Sequence, residues 1–340
     1  MTHRLNRRMA LTLGATAGGA SMLGIVPAWA ANNDLLNVSF STTNQLYTGY
    51  DQLFTAGWQK KTDTLSQIRV SFGASGAQAR AVMEGLPADV VTLAVASDID
   101  AIAKRGLIAT NWQSRLPDNS TPYASTVVFL VRKGNPKHIQ DWDDLIRSDV
   151  QIAVPNPKTS GGARWAVLAA WSYALRKYGS AAGAKTYLQK FFANVPVLSP
   201  STHDTTLNFT QRDVGDVLVG LECEAFEAVR QAGPEFQIIV PSLSIKAESP
   251  VAVVDKNVDR RGTRALAQAY LEQLYTPAAQ EVVARSFFRP VDPTVLSQYA
   301  HQFPNIEMVT IDSAFGGWAK AQATFFANGG IFDQVYAKGV

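Results

Sequence analysis

From Leu35 onward, short apolar runs alternate with longer segments whose apolar residues recur at helical spacing. Leu35–Phe40 (LLNVSF) reads as a strand, followed by a polar turn and a helical run through Leu46 to Gln59. Gln67–Phe72 (QIRVSF) predicts a second strand, and GAQARAVMEG after it a helix with Gly85 as its stop. Ala88–Val95 (ADVVTLAV) is too continuously apolar for a half-exposed strand, which predicts a strand covered on both faces. TVVFLVRKGNP and VQIAVPNP read the same way. Strands separated by helices need crossover connections, so the pattern predicts an α/β protein with mostly parallel sheets. Ser125–Pro136 and Glu248–Val258 read as passages between two lobes. If both cross, residues 31–122 and 251–340 form lobe I, and residues 123–250 form lobe II.

Residues 1–30 do not belong to this pattern. Arg4, Arg7 and Arg8 come without an acid, and a small-residue apolar run ends in Ala28-Trp29-Ala30. That predicts a cleaved secretory signal peptide and an exported, periplasmic protein. The paired arginines of NRRMALTL match the twin-arginine route in part, with the general route as the alternative. The segment also changes the charge balance. The 340-residue chain carries 31 basic and 28 acidic residues, and the three signal-peptide arginines account for the whole excess. A mature chain without net charge argues against nucleic-acid or anionic-membrane partners, which need a basic surface. The single cysteine, Cys223, has no partner for an internal disulfide and is expected to be buried.

Two stretches carry candidate chemistry. In VPNPKTSGGARWAVLAAW, a buried strand and a turn lead into a helix whose first residues are Gly161 and Gly162, poor helix formers. The first turn of a helix has N–H groups with no partner and about half a positive charge from the peptide dipoles. Glycine lets a ligand approach those groups closely, which suits an anion. The alternative is a tight turn that needs glycine conformations. RVSFGASGAQARAV repeats the logic with Gly73, Ser75 and Gly76, where Ser75 either offers its hydroxyl and N–H or acts as an N-cap. Two such helix starts in separate halves of a two-lobed chain predict a ligand cleft between the lobes.

The stretches SGAQAR, ADVVTLA, RLPDNSTPYASTVVFLVRKGNPK, PNPKTSGGARW, GDVLVG, FFRP and FGGWAKAQATFFANGGIFDQ resemble the periplasmic sulfate- and thiosulfate-binding receptors of ABC importers. The resemblance covers nearly all of the mature chain. It implies the type II periplasmic-binding fold, two α/β lobes joined by crossing strands with a ligand cleft between them. It implies a dehydrated sulfate or thiosulfate held mainly by backbone N–H groups. It also implies delivery to an inner-membrane ABC permease driven by a separate ATPase subunit, by a monomer without cofactor. Ser75, Gly161 and Gly162 match the family's ligand positions. Ser41 stands where the family has an Asp, and Thr202 where it has a small residue; both contacts are made by backbone N–H. Leu221 stands where the family has a tryptophan whose indole donates to the anion, and leucine has no donor. His203 and Asp204 are absent from the family pattern: His203 is a new donor if it faces the cleft, and otherwise a solvated loop residue. Asp204 would repel sulfate if it faced the ligand, and is otherwise a turn residue.

The loss of bulk at Ser41 and Leu221 raises a larger sulfonate or sulfate ester, or another oxyanion, as an alternative ligand. A periplasmic sensor without a transport role would have the same fold. An enzyme reading finds little support. GASGA lacks the second glycine of a nucleophile elbow, a Ser75–His203–Asp204 triad would need adjacent residues to orient each other, and no metal-ligand spacing occurs. The aromatic run FGGWAKAQATFF is expected in the core.

Overall fold

The computed structural model describes residues 33–336, so the signal peptide read from residues 1–30 lies outside it. In chain order the strands are β1 (Asp34–Phe40), β2 (Gln67–Gly73), β3 (Val90–Thr92), β4 (Tyr123–Ser125), β5 (Val127–Arg132), β6 (Ile152–Pro155), β7 (Leu198–Ser199), β8 (Val217–Leu221), β9 (Phe236–Ile239), β10 (Ser244–Ile245), β11 (Ala247–Ser249), β12 (Val251–Val253), β13 (Arg289–Pro290) and β14 (Met308–Val309). They form a four-stranded sheet ordered β12-β3-β1-β2 and a five-stranded sheet ordered β7-β6-β8-β5-β9. Between them in the chain's course lies a three-stranded sheet, β11-β4-β13.

The apolar runs fall where the pattern puts them. β3 and β5 are buried along almost their whole length, as strands covered on both faces must be. The expectation of mostly parallel sheets is corrected. β1 pairs in parallel with β2 and β3, and β6 with β7 and β8. However, β12 runs antiparallel to β3, and β5 antiparallel to both β8 and β9. The physical reason is in the passages. β4 and β11 pair antiparallel in the small sheet, and each continues after one residue into a different large sheet, β5 and β12. A strand entering a sheet from such a passage has no preceding crossover helix to set it parallel.

Helices cover the sheets. Asn44–Thr62 follows β1 through a short 3-10 turn, Ser41–Thr43, and stops at Asp63 in the left-handed conformation, φ 55°. Gly161–Tyr178 follows β6 and is closed by left-handed Gly179, φ 66°. Fourteen of its eighteen residues are buried, which makes it the central helix of the molecule. The C-terminal aromatics pack on it: Trp318 meets Trp165 edge-on at 4.6 Å and Phe325 meets Trp171 at 5.0 Å, so FGGWAKAQATFF is core. The tail then runs on. β14 pairs with β10, and Phe332 of the last helix, Ile331–Tyr336, stacks edge-on against Phe192 of helix Ala181–Ala193. Cys223 is buried beside Ser125, as expected, and burial pushes its thiol well above the ordinary range. Among the described residues no helix is long and apolar enough to cross a membrane.

Candidate functional site

Three helices begin close together. Helix Ser75–Met83 follows β2, the Gly161 helix follows β6, and helix Thr202–Arg212 follows β7. All three start at the carboxyl end of a parallel strand, where open α/β sheets bind ligands. Their first turns touch. A Cβ placed on Gly161 would lie 2.6 Å from the Ala94 Cβ and 3.4 Å from that of Ser75. A Cβ on Gly162 would lie 2.5 Å from the Thr202 Cγ2 and 3.7 Å from Leu221. Neither glycine has a positive φ, so turn conformation is not why they are glycine. They are glycine because the opposing chain occupies the space a side chain would need.

Within each first turn some N–H groups are used and some are not. Ser160 caps its helix by accepting from Ala163 N–H, and Ser201 caps the next by accepting from Asp204 N–H. Gly76 N–H donates to Thr159 carbonyl at 3.2 Å, tying the two glycine-bearing turns together. The N–H groups of Ser75, Gly161, Gly162 and Thr202 have no acceptor among the described residues. Four free amides, all on residues less than a tenth exposed, are what an anion would need there.

Ser75 is not an N-cap. Its hydroxyl donates to Asp98 Oδ2 at 2.6 Å and accepts from Ala94 N–H at 3.1 Å, leaving its backbone N–H as the group free for a ligand. Asp98 also takes Arg164 Nη1 at 2.6 Å, and both side chains are 7 % exposed. The Trp165 indole donates to Ala94 carbonyl. Sequence reading missed the Asp98–Arg164 pair: Asp98 looks like any acid in a first helical turn, and Arg164 lies 66 residues away. Because the pair cancels its own charge, the free amides are uncharged donors in a site without a net counter-charge.

The remaining candidates are placed as follows. Ser41 opens the 3-10 turn after β1, and its neighbour Thr42 donates from Oγ1 to Glu224 Oε1 at 2.7 Å. Thr42 Oγ1 also stands 3.2 Å from Thr202 Oγ1. Burial pushes the Glu224 carboxyl up to about 6. Thr42 and Glu224 were not singled out in the sequence; the alternating acids of LECEA are the only trace they leave. Leu221 is 1 % exposed, packs by Gly162, and brings no donor. His203 is exposed and lines a polar groove with Ser41, Thr42 and Glu224, a groove that Ser75, Gly161 and Gly162 do not line. Asp204 accepts from Ser201 Oγ at 2.5 Å, so it belongs to the helix cap. The Ser75–His203–Asp204 triad does not form, since the Ser75 hydroxyl is given to Asp98. Among the described residues no group of acids, histidines and cysteine is placed to hold a metal.

A family model described as bacterial extracellular solute-binding protein matches residues 50–289. The sulfate-binding protein of Salmonella typhimurium is 50 % identical, aligned over 94 % of this chain and 97 % of its own length. The thiosulfate-binding protein of Pseudomonas aeruginosa is 42 % identical over 98 % of this chain and 99 % of its own. Among solved structures, the sulfate-binding protein SubI of Mycobacterium tuberculosis superposes with a TM-score of 0.80 at 32 % identity, covering 86 % of this chain and 99 % of SubI.

Proposed function

The chain belongs to the sulfate- and thiosulfate-binding branch of the bacterial extracellular solute-binding proteins, and on that premise we propose that it captures sulfate or thiosulfate in the chamber formed by its helix starts. The observation that carries this reading is the cluster of free N–H groups on Ser75, Gly161, Gly162 and Thr202. The N–H of Ser41 is the fifth donor in this reading. Uncharged amides fixed by folded helices cost nothing to reorganise when the anion arrives. A site built of donors favours an anion with no proton of its own, because a bound hydrogen phosphate would leave its proton without an acceptor. The buried carboxylates beside it are already engaged: Asp98 accepts from Ser75 and Arg164, and Glu224 from Thr42.

Capture proceeds by closure of two lobes around the anion, with no chemical step. Lobe II is residues 123–250, and lobe I is residues 31–122 with the chain after 251, whose tail from β14 onward reaches back onto lobe II. The bonds from Gly76 to Thr159, Arg164 to Asp98 and Thr42 to Glu224 then all cross the cleft. An anion that binds both walls stabilises the closed form by its differential affinity. Exported by its signal peptide, the protein works in the periplasm and hands its ligand to an inner-membrane permease powered by a separate ATPase subunit.

Thermal unfolding of the mature protein tests this reading. Sulfate and thiosulfate at about a hundred times Kd are expected to add about 2.7 kcal/mol, or roughly 4 °C in Tm, and phosphate to add little. Equal shifts with phosphate, or none with either sulfur oxyanion, contradict it.

A further inference from the structure

We propose that Thr42, Thr202 and Glu224 form the specificity-determining wall of the site, excluding oxyanions that carry an organic substituent; this rests on the reading of the chamber as a sulfate site. The three come from separate elements: the turn after β1, the start of the Thr202 helix, and helix Glu222–Ala232. Their hydrogen bonds have one consistent direction. Thr42 has a single hydroxyl proton, and at 2.7 Å it goes to the Glu224 carboxylate. The Thr202 hydroxyl therefore supplies the proton in the 3.2 Å contact with Thr42. Thr202 turns its methyl group the other way, against Gly162.

The wall has two different sides. Toward the helix starts, Thr202, Leu221 and Gly162 close up, with Thr202 only 7 % and Leu221 only 1 % exposed. On the other side lies a groove of about 440 Å³, lined by polar residues that include Asn44, Gln45, Gln211 and Gln231. Ser41, Thr42 and Glu224 line that groove, whereas Ser75, Gly161, Gly162 and Leu221 do not. A bare tetrahedral anion held by the helix-start amides meets the groove side only at Ser41. A sulfonate or sulfate ester must put its substituent somewhere, and the adjacent groove is reached only by parting Thr42 from Glu224 and Thr202. Parting them leaves a buried carboxylate without its donor, a penalty that falls on substituted anions alone.

The test is a calorimetric binding series with sulfate, methanesulfonate, ethanesulfonate and 2-hydroxyethanesulfonate against the parent protein, Thr42→Ala and Thr42→Ser. The parent is expected to prefer sulfate over the two-carbon sulfonates by at least about a hundredfold, equal to about 2.7 kcal/mol. Thr42→Ala should narrow that ratio at least tenfold, and Thr42→Ser, which keeps the hydroxyl, should restore it. If Thr42→Ala does not fold, Glu224→Ala removes the opposite end of the bridge and should narrow the ratio likewise. A parent that binds the two-carbon sulfonates as well as sulfate overturns the wall, and so does a ratio unchanged in the variants. A parent that binds none of the anions overturns the sulfate reading itself, and the wall with it.

Discussion

At the scale of single residues, Gly162, Thr202 and Leu221 form one packing unit. The family resemblance implies a tryptophan at the place of Leu221 and a small residue at that of Thr202, and both side chains present lie against Gly162. A tryptophan restored at 221 alone would have to share that space with the Thr202 methyl. The two changes are therefore coupled, as neighbours in contact are. Leu221→Trp combined with Thr202→Ala is expected to tighten sulfate binding ten- to a hundredfold, because one donor to a charged group contributes about 1.5–3 kcal/mol. Titration calorimetry reads this directly, and Leu221→Trp alone should gain less. An unchanged Kd in the double variant would mean that residue 221 does not face the anion. The glycines themselves were legible as candidates, but the reason for them was not. The sequence suggested room for a ligand or a turn, whereas the room is filled by Ala94 and Thr202, residues that no local pattern links to Gly161 and Gly162.

At the scale of elements, the Ser75 and Gly161 helices are joined through a buried chain of contacts, Ser75 to Asp98 to Arg164. Arg164 also donates to Pro157 carbonyl in the turn before its own helix. This chain sets the distance between the two helix starts. Asp98→Ala is expected to cost about 3–5 kcal/mol, since it leaves the Arg164 guanidinium buried without its carboxylate. Urea unfolding gives the cost, and sulfate affinity of the folded variant should fall as well. A loss below about 1 kcal/mol would place the pair among interactions of little consequence. Of the elements read from spacing, β1, β2 and the helices starting at Ser75 and Gly161 lie within two residues of their predicted places, whereas β5 ends at Arg132, four residues before the end of TVVFLVRKGNP. The strands β4, β11 and β13 have two or three residues each, too few for a period to show. With them went the antiparallel direction of β5 and β12, which is decided by that small sheet.

At the scale of the whole molecule, hydrogen bonds between distant segments tie the turns at Thr42 and Gly76 and the helix at Asp98 to Glu224, Thr159 and Arg164. Fold class and the two-passage arrangement could be anticipated, because alternating strand and helix patterns have few solutions. The bonds from Gly76 to Thr159, Arg164 to Asp98 and Thr42 to Glu224 could not, because each joins residues more than sixty positions apart, as Thr42 with Glu224 does over 182. The central claim is that free backbone amides from these converging helix starts hold one oxyanion. Its most direct test is a crystal structure with selenate, which has the shape and charge of sulfate and scatters anomalously. The account predicts one strong selenium peak within hydrogen-bond distance of the N–H groups of Ser75, Gly161 and Gly162, removed by competing sulfate. A peak in the polar groove beside His203, or none at the helix starts when selenate saturates the protein, would contradict it.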